Sequence, residues 1–191
     1  MWYLDNQVLN ENWVYLNGIF SKEECNQIIS QGNANTLKNA YVGDNMQVNS
    51  DIRKSKVAFF NSADPSTQWI YQKCTDCVNN INKQFFNFDL HCIETLQFTC
   101  YIDSGDKYDY HIDTMYKSFG ARKLSFSILL NDPSEFDGGD IEFLFGSNPV
   151  SGHRSQGGAN IFPSHLLHRV TPITKGSRYS LVGWVVGPKF K

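Results

Sequence analysis

The sequence lacks a hydrophobic run long enough to cross a membrane, and it lacks a strong excess of charge of either sign. No apolar stretch approaches the roughly 18 residues that a membrane helix needs. The 17 Lys and Arg residues nearly balance the 19 Asp and Glu residues, which leaves a formal net charge of −2. This balance gives no reason to predict a nucleic-acid or membrane partner. The densest basic run, residues 53–56, is short and favours a solvated loop.

The sequence also lacks the features of secreted and zinc-bound proteins. Its first 13 residues have neither the basic start nor the apolar run of a signal peptide. The five cysteines are odd in number, and reduced thiols are the default in the cytoplasm. Cys74 and Cys77 form a C-x-x-C pattern, but no second close pair completes a zinc site, so we predict one face of a helix. We therefore predict a cytoplasmic chain.

The length of 191 residues fits one domain, residues 1–191, whose first part reads as helical. Ser21 and Glu24 form a capping-box pattern, and Gly32 is a plausible end for the helix that follows. A second helix is predicted to begin with Asp64 as its N-cap and Pro65 as its first residue. Its apolar residues recur at helical spacing as far as Phe86: Ile70, Cys74, Cys77, Val78, Ile81 and Phe85.

From residue 94 onward the hydrophobic period changes to two, which is typical of strands. One predicted strand face carries Leu96, Phe98, Cys100 and Ile102, and the opposite face carries Gln97, Thr99 and Tyr101. A later strand carries Leu124, Phe126, Ile128 and Leu130 on one face. Helices followed by many strands predict an α+β, mainly β fold, with helices on one side of an antiparallel sandwich or barrel.

His111 and Asp113 are the first candidate metal ligands, because residues two apart in a strand point the same way. Two ligands do not make a site, so a third must come from a distant strand. His91 and His153 lie in predicted loops without a partner, which leaves His165 and His168. We favour His168, because Arg178 follows it by ten residues across a turn that would put the two on adjacent antiparallel strands.

Arg178 opens a mostly apolar strand, where a guanidinium is costly unless it meets a carboxylate. Ser180, Val182 and Trp184 share its face. An arginine beside a serine can hold a ligand carboxylate with charge-assisted hydrogen bonds.

Two histidines, one carboxylate and open coordination positions are the donor set of non-haem Fe(II) oxygenases. The ordered set of His111, Asp113, His168 and Arg178, preceded by the tyrosines at positions 101 and 108, resembles the 2-oxoglutarate/Fe(II)-dependent dioxygenases, in particular the prolyl 4-hydroxylase catalytic-domain branch. The resemblance runs from about Phe20 to the C-terminus. It implies a double-stranded β-helix, or jelly roll, over about residues 94–187, with N-terminal supporting helices over about residues 20–90.

The resemblance also implies a role for each matched residue. His111, Asp113 and His168 would hold Fe(II) as the catalytic centre. Arg178, Ser180 and Tyr101 would bind 2-oxoglutarate. Tyr108, Arg122 and Trp184 would contact the substrate at the mouth, although each can equally be a packing or surface residue. Leu129 departs from the pattern, because many relatives carry a co-substrate-contacting tyrosine there, and this bears on the affinity for 2-oxoglutarate.

The implied reaction is hydroxylation of a C–H bond, coupled to conversion of 2-oxoglutarate and O2 into succinate and CO2, with ascorbate as a reductant. The branch implies a prolyl residue in a peptide or protein as substrate, and the segment Gly43 to Lys56 has the polarity of a loop that closes over an extended chain. Another residue or a small molecule remains an alternative, although a free amino acid would need a second carboxylate clamp that the sequence does not reveal. A nucleobase is disfavoured by the charge balance. The alternative of another class is a jelly-roll binding module without activity.

Overall fold

The computed structural model describes residues 12–41, 48–117 and 120–189. Within these ranges two helices are present, α1 (Lys22–Ala34) and α2 (Gln68–Ile81), and α2 continues into one π-helical turn, Asn82–Phe86. The strands are β1 Val14–Leu16, β2 Lys38–Asn39, β3 Arg53–Lys54, β4 Lys56–Phe60, β5 Cys92–Ile93, β6 Leu96–Tyr101, β7 Lys107–His111, β8 Tyr116–Lys117, β9 Gly120–Leu129, β10 Phe136–Gly138, β11 Ile141–Leu144, β12 Pro149–Ser151, β13 Ala159–Pro163, β14 His168–Val170, β15 Ile173–Gly176 and β16 Arg178–Gly187. Neither helix in the described ranges has the length and apolar character needed to span a membrane.

The strands form two antiparallel sheets that enclose a cavity. The major sheet has the order β1-β13-β9-β16-β6-β4-β2, and β5 and β8 extend it at β16 and β9. The minor sheet has the order β12-β11-β14-β7-β3, and β10 and β15 form a separate two-stranded ladder. Both helices pack on the outer face of the major sheet, where their apolar side chains join one core with β6, β9 and β16. The predicted α+β, mainly β jelly roll with supporting helices is confirmed.

The alternation predicted for the central strands separates the core from the cavity. Leu96, Phe98 and Cys100 of β6 are fully buried in the core beneath the helices. The intervening residues Gln97, Thr99 and Tyr101 line the cavity between the sheets. A strand between two packed layers thus presents apolar side chains outward and mostly polar ones inward.

Helix α1 begins as predicted but ends later. The Oγ of Ser21 accepts a bond from the Glu24 N–H at 3.3 Å, and the Glu24 carboxylate accepts one from the Ser21 N–H at 2.8 Å. Gly32 is not the end of the helix, because α1 continues to Ala34. A Cβ at Gly32 would lie 2.4 Å from the buried ring of Phe98. Glycine at this position therefore lets the helix approach the sheet closely.

Helix α2 begins three residues later than the capping pattern predicted. Asp64 accepts a hydrogen bond from the Ser66 N–H at 2.9 Å, which closes a turn before the helix, and Thr67 takes the N-cap position. Aspartate commonly bonds the backbone two residues on in this way, and here the turn competes successfully with the cap. The π-helical turn carries the chain to Phe86, close to the predicted end.

The C-x-x-C pattern lies on α2, where Cys74 is buried and Cys77 half-buried. Burial raises the pKa of the Cys77 thiol to about 11, so it stays protonated at neutral pH. Among the described residues, neither cysteine takes part in a cluster of metal-binding groups. The interpretation of this pair as a helix face stands.

The basic run at residues 53–56 was wrongly expected to be a solvated loop. Arg53 lies in β3 at the edge of the minor sheet, paired with Tyr108 of β7, and it is only 9% exposed. The Arg53 side chain turns inward because Ser55 and the Tyr41 carbonyl accept its hydrogen bonds. Residues 43–47 of the predicted closing loop, and residues 1–11 of the N-terminal stretch, lie outside the described residues.

Candidate active site

A cavity of about 380 Å³ opens between the two sheets and collects most of the predicted site residues. Its lining includes His111, Asp113, His168, Tyr101, Tyr108, Arg122 and Trp184. Arg178 lines a smaller neighbouring cavity that shares Ser127 and Ile141 with the larger one. The exposed His165 lies apart from this group.

The three candidate metal ligands meet where β7 ends and β14 begins. His111 and His168 are direct partners in the antiparallel pairing of these two strands. Asp113 lies in the loop just after β7 and not within the strand, and its N–H donates to the Ser164 carbonyl at 2.8 Å. That bond ties the loop to the segment leading into β14, and so holds the carboxylate over the histidine pair.

The donor atoms of these side chains form a compact set. Nε2 of His111 and Nε2 of His168 each lie 3.6 Å from an oxygen of Asp113, and one donor atom from each residue falls within 4.8 Å of the others. Nδ1 of His111 bonds the Asp109 carbonyl at 2.8 Å, and Nδ1 of His168 bonds the Leu166 carbonyl at 2.9 Å. Because a carbonyl only accepts, each Nδ1 carries the proton and each Nε2 presents a lone pair to the centre.

The electrostatics keep His111 and Asp113 in the forms that bind metal. Burial, and to a lesser extent the nearby His168, lower the pKa of His111 to about 4. Burial alone would raise the pKa of Asp113, but His168, His111 and the hydrogen-bonding side chains of Ser125 and Trp184 together hold it below its usual range. Neutral imidazole and ionised carboxylate are the protonation states that metal coordination requires. Two nitrogens and one carboxylate, with room for further ligands in the cavity, fit Fe(II).

The ten-residue spacing predicted that His168 and Arg178 lie on adjacent antiparallel strands, and this prediction is wrong. The strand β14 belongs to the minor sheet, whereas β16 lies inside the major sheet, so the two residues approach the cavity from opposite walls. The intervening β15 leaves both sheets to pair with β10, and this exit allows the chain to cross between layers. Arg178 pairs instead with Tyr101 of β6.

The surroundings of Arg178 fit a ligand carboxylate. Its Nη1 donates to the Ser180 Oγ at 2.9 Å, and its guanidinium lies 5.4 Å from the centre of the Tyr101 ring. Arg178 is buried, and no carboxylate of a described residue lies within 4 Å of it. Burial lowers the pKa of Arg178, yet guanidinium keeps its proton in proteins. A buried cation without an anion is costly, and a bound carboxylate removes that cost.

Leu129, the departure from the family pattern, is buried beside Tyr101 and Val170. It adds an apolar wall and no hydrogen-bond donor near Arg178. The polar groups beside Arg178 include the phenol of Tyr101 and the hydroxyl of Ser180.

The three predicted substrate residues lie together at the cavity. The ring of Tyr108 stacks on that of His111 with 3.5 Å between centroids. The guanidinium of Arg122 lies 4.1 Å from the centre of the Trp184 ring, and it forms an ion pair of 2.7 Å with Glu94. Arg122 is thus a fixed group held by a carboxylate. Nothing in the sequence indicated Glu94, which lies 28 residues away.

Arg122 faces the cavity because of an irregularity in the pairing of β9 with β16. Val185 pairs with Leu124 and Val186 pairs with Arg122, so the register of the two strands shifts by one residue at Lys123. Simple alternation from Leu124 would have put Arg122 on the core face. An extra residue in one strand re-aims the side chains that follow it.

The mouth of the cavity also carries residues that no sequence pattern indicated. Tyr41, Phe59 and Ile112 line it and expose 45%, 54% and 52% of their surface. Arg53 lines it as well, and its guanidinium lies 4.4 Å from the centre of the Tyr108 ring. Large apolar side chains left in water around a cavity are typical of a binding surface.

Part of the chain is similar to a known protein family. Residues 96–186 match the family described as the 2OG-Fe(II) oxygenase superfamily. A PKHD-type hydroxylase of Idiomarina loihiensis is 38% identical over 81 residues, which cover 42% of this chain and 37% of that protein. The chain therefore matches little more than a third of the length of that relative.

Two solved structures share the fold at low sequence identity. A prolyl-4-hydroxylase of Pseudomonas putida superimposes with a TM-score of 0.73 at 18% identity, covering 92% of both chains. A prolyl hydroxylase of Trichoplax adhaerens, in complex with a hypoxia-inducible factor peptide fragment, gives 0.76 at 18% identity and covers 92% of this chain and 84% of the other. At this level of identity the likeness establishes the jelly-roll fold.

The lowered pKa of His111 predicts that the metal-free protein loses stability in acid. Folded His111 stays neutral down to pH about 4, while the unfolded chain takes up a proton near the ordinary value of 6.5. The unfolded state therefore binds more protons between these values, and stability falls as pH falls. From about pH 7 to about pH 5 we expect the loss of about 2 kcal/mol from this group, measured by urea unfolding of metal-free protein.

The variant His111→Gln should lose that part of the pH dependence, whereas His165→Gln, at an exposed position, should keep it. An unchanged slope in His111→Gln would contradict the assignment.

Proposed function

We propose that this chain, as one domain of residues 1–191, is an Fe(II)- and 2-oxoglutarate-dependent oxygenase that hydroxylates a prolyl residue of a peptide or protein. The match of residues 96–186 to the 2OG-Fe(II) oxygenase superfamily supports the proposal. The observation that carries the proposal is a His-Asp-His donor set on the main cavity together with a buried arginine on the adjoining smaller cavity, which has no carboxylate of a described residue within 4 Å. The first group fits the metal, and the second fits the far end of the co-substrate.

His111, Asp113 and His168 are proposed to hold the metal, each through one donor atom. Bound Fe(II), with 2-oxoglutarate and O2, supplies the oxidising chemistry that yields succinate and CO2. The backbone carbonyls behind the two histidines keep the rings turned toward the metal, and this outer support also raises their basicity. The protein binds and orients the reactants, and it excludes water.

Arg178, Ser180 and Tyr101 are proposed to bind the distal carboxylate of 2-oxoglutarate. Burial raises the pKa of the Tyr101 phenol, so its hydroxyl remains a hydrogen-bond donor at neutral pH. The hydroxyl of Ser180 already bonds Arg178, which fixes the orientation of the guanidinium before any ligand arrives. A prearranged cation and hydroxyl recognise a carboxylate without further rearrangement.

The substrate is proposed to lie across the mouth of the cavity. Tyr108, Trp184 and the fixed Arg122 form one side, and the exposed apolar residues Tyr41, Phe59 and Ile112 surround it. Aromatic faces suit the ring of a prolyl residue, and an open apolar rim suits the chain on either side of it. The Trichoplax prolyl hydroxylase, which shares the fold, was solved with a peptide fragment, and this also favours a peptide.

The assignment of the third metal ligand predicts which histidine variant loses activity. His168→Ala removes one of three donor atoms, so we expect it to abolish Fe(II)-dependent formation of succinate. The matched change His165→Ala removes an exposed imidazole outside the donor cluster and should leave turnover near the wild-type level. Loss of activity in His165→Ala but not in His168→Ala would show that the ligand is misassigned.

The co-substrate assignment predicts a large change in the 2-oxoglutarate requirement of Arg178→Ala. Loss of a buried, charge-assisted pair costs several kcal/mol, which is on the order of two or more decades of affinity. We expect the KM for 2-oxoglutarate to rise accordingly, and addition of excess 2-oxoglutarate to recover part of the rate. An unchanged KM would show that another group binds the distal carboxylate.

The substrate assignment predicts that Arg122→Ala and Trp184→Ala impair peptide hydroxylation far more than uncoupled consumption of 2-oxoglutarate. The control is Arg169→Gln, because Arg169 is likewise held by a glutamate at 2.7 Å and lies 4.6 Å from a tyrosine ring centre, but does not line the cavity. Both rates should be near wild type in that control. Equal loss of the two activities in the Arg122 and Trp184 variants would mean that these residues are structural.

A further inference from the structure

Arg53 is a second cation at the cavity that the proposed mechanism does not use. It is 9% exposed and lines the cavity from the edge of the minor sheet. Its Nε donates to the Ser55 Oγ at 3.1 Å and its Nη1 donates to the Tyr41 carbonyl at 3.2 Å. These partners are neutral, and no carboxylate of a described residue lies within 4 Å of Arg53.

Two cations close to Arg53, Arg122 and Lys54, are compensated. Arg122 is paired with Glu94 at 2.7 Å, and Lys54, the neighbour of Arg53 on β3, is paired with Asp106 at 3.2 Å. Among the described residues that line the cavity, Asp113 is the only carboxylate, and it belongs to the metal site. Arg53 therefore differs from its cationic neighbours in having no acid beside it.

The charges of the loaded site leave Arg53 without compensation. The two positive charges of Fe(II) match the two negative charges of 2-oxoglutarate. The negative charge of Asp113 matches the positive charge of Arg178, and Glu94 matches Arg122. One positive charge remains, on Arg53, in surroundings where an unpaired charge is costly. A substrate that brings one negative charge to Arg53 would make the closed site neutral.

We propose that Arg53 binds a carboxylate of the substrate, so that the enzyme selects substrates with an acidic group next to the oxidised carbon. Arg53 lies near the proposed metal site, because Arg53 stacks on Tyr108 and Tyr108 stacks on His111. The proposal rests on the proposed function and specifies its substrate class. It also supplies the second carboxylate clamp that the sequence did not reveal.

The carboxylate has two sources that present the same chemistry to Arg53. It is either the side chain of Asp or Glu beside a target proline in a peptide, or the free carboxylate of a small acid such as proline itself. The exposed apolar rim, made of Tyr41, Phe59 and Ile112, favours the peptide, because a small acid would leave it uncovered.

The test compares acid and amide probes that are otherwise identical. One set consists of end-blocked peptides with a single proline, in which Asp or Asn occupies each position flanking the proline in turn. The second set is free L-proline and L-prolinamide. Binding is measured by calorimetric titration into protein loaded with Mn(II) and 2-oxoglutarate under argon, and hydroxylation is measured separately with Fe(II) in air from the mass gain of one oxygen atom.

We expect at least one Asp peptide to bind about tenfold or more tightly than its Asn partner, because an amide cannot neutralise a buried guanidinium. Arg53→Gln should reduce that ratio to near one, and Arg53→Lys, which keeps the charge, should retain part of it. Arg169→Gln, which removes a paired arginine outside the cavity, should keep the wild-type ratio. A preference only for L-proline over L-prolinamide would support the clamp and identify a small acid as its ligand.

The result that overturns the proposal is equal binding of acid and amide probes by the wild-type protein, or a preference that persists in Arg53→Gln. The wild-type comparison needs no variant, so it decides the question even if a change at Arg53 prevents folding. A different result would show that the proposed function is wrong while Arg53 still binds a carboxylate. In that case acid probes bind preferentially, but no probe gains oxygen and none stimulates succinate formation.

Discussion

The site depends on the antiparallel pairing of β7 with β14. This pairing puts His111 directly opposite His168, and residues opposite each other in such a ladder have side chains close enough to share one ligand. The third group follows from the same ladder, because the loop after β7 is hydrogen-bonded to the segment that precedes β14. A shift of one residue in this register would turn His111 to the other face of the sheet and remove the donor set.

The major sheet supplies the opposite wall and the charge that the minor sheet lacks. Its inner face carries Gln97, Thr99 and Tyr101, which line the cavity. Arg178 is the pairing partner of Tyr101 on the neighbouring strand. The two helices cover the outer face and make these strands the centre of the main core. The cation can therefore be buried on a rigid strand, where it is ready for a ligand carboxylate before one arrives.

The buried arginines of the site differ in whether an acidic side chain neutralises them. Arg122 is neutralised by Glu94 and serves as a fixed support for the Trp184 ring. Arg178 and Arg53 have no acid within reach among the described residues, and they flank the donor set from different sheets. Each uncompensated cation raises the free energy of the empty site, and each anionic ligand that binds beside it recovers that cost. This electrostatic arrangement is what makes the cavity suited to acidic ligands.

Local sequence patterns predicted most of the helices and strands and the types of side chain in the site. A period of two marked which residues of β6 and β9 face the core, and the capping box marked the start of α1, because these are properties of neighbouring residues. The donor set and the lone strand-opening arginine were also visible, since few other residues offered that chemistry.

The way in which these strands and side chains meet became visible in the folded chain. The fold put His168 and Arg178 on opposite sheets, because β15 leaves both sheets between them. It turned Arg122 toward the cavity through a one-residue shift of register between β9 and β16, and it brought Arg53 inward to line the site. Contacts between residues far apart in the chain, such as Arg122 with Glu94, depend on strand register and layer packing, and no local pattern encodes either.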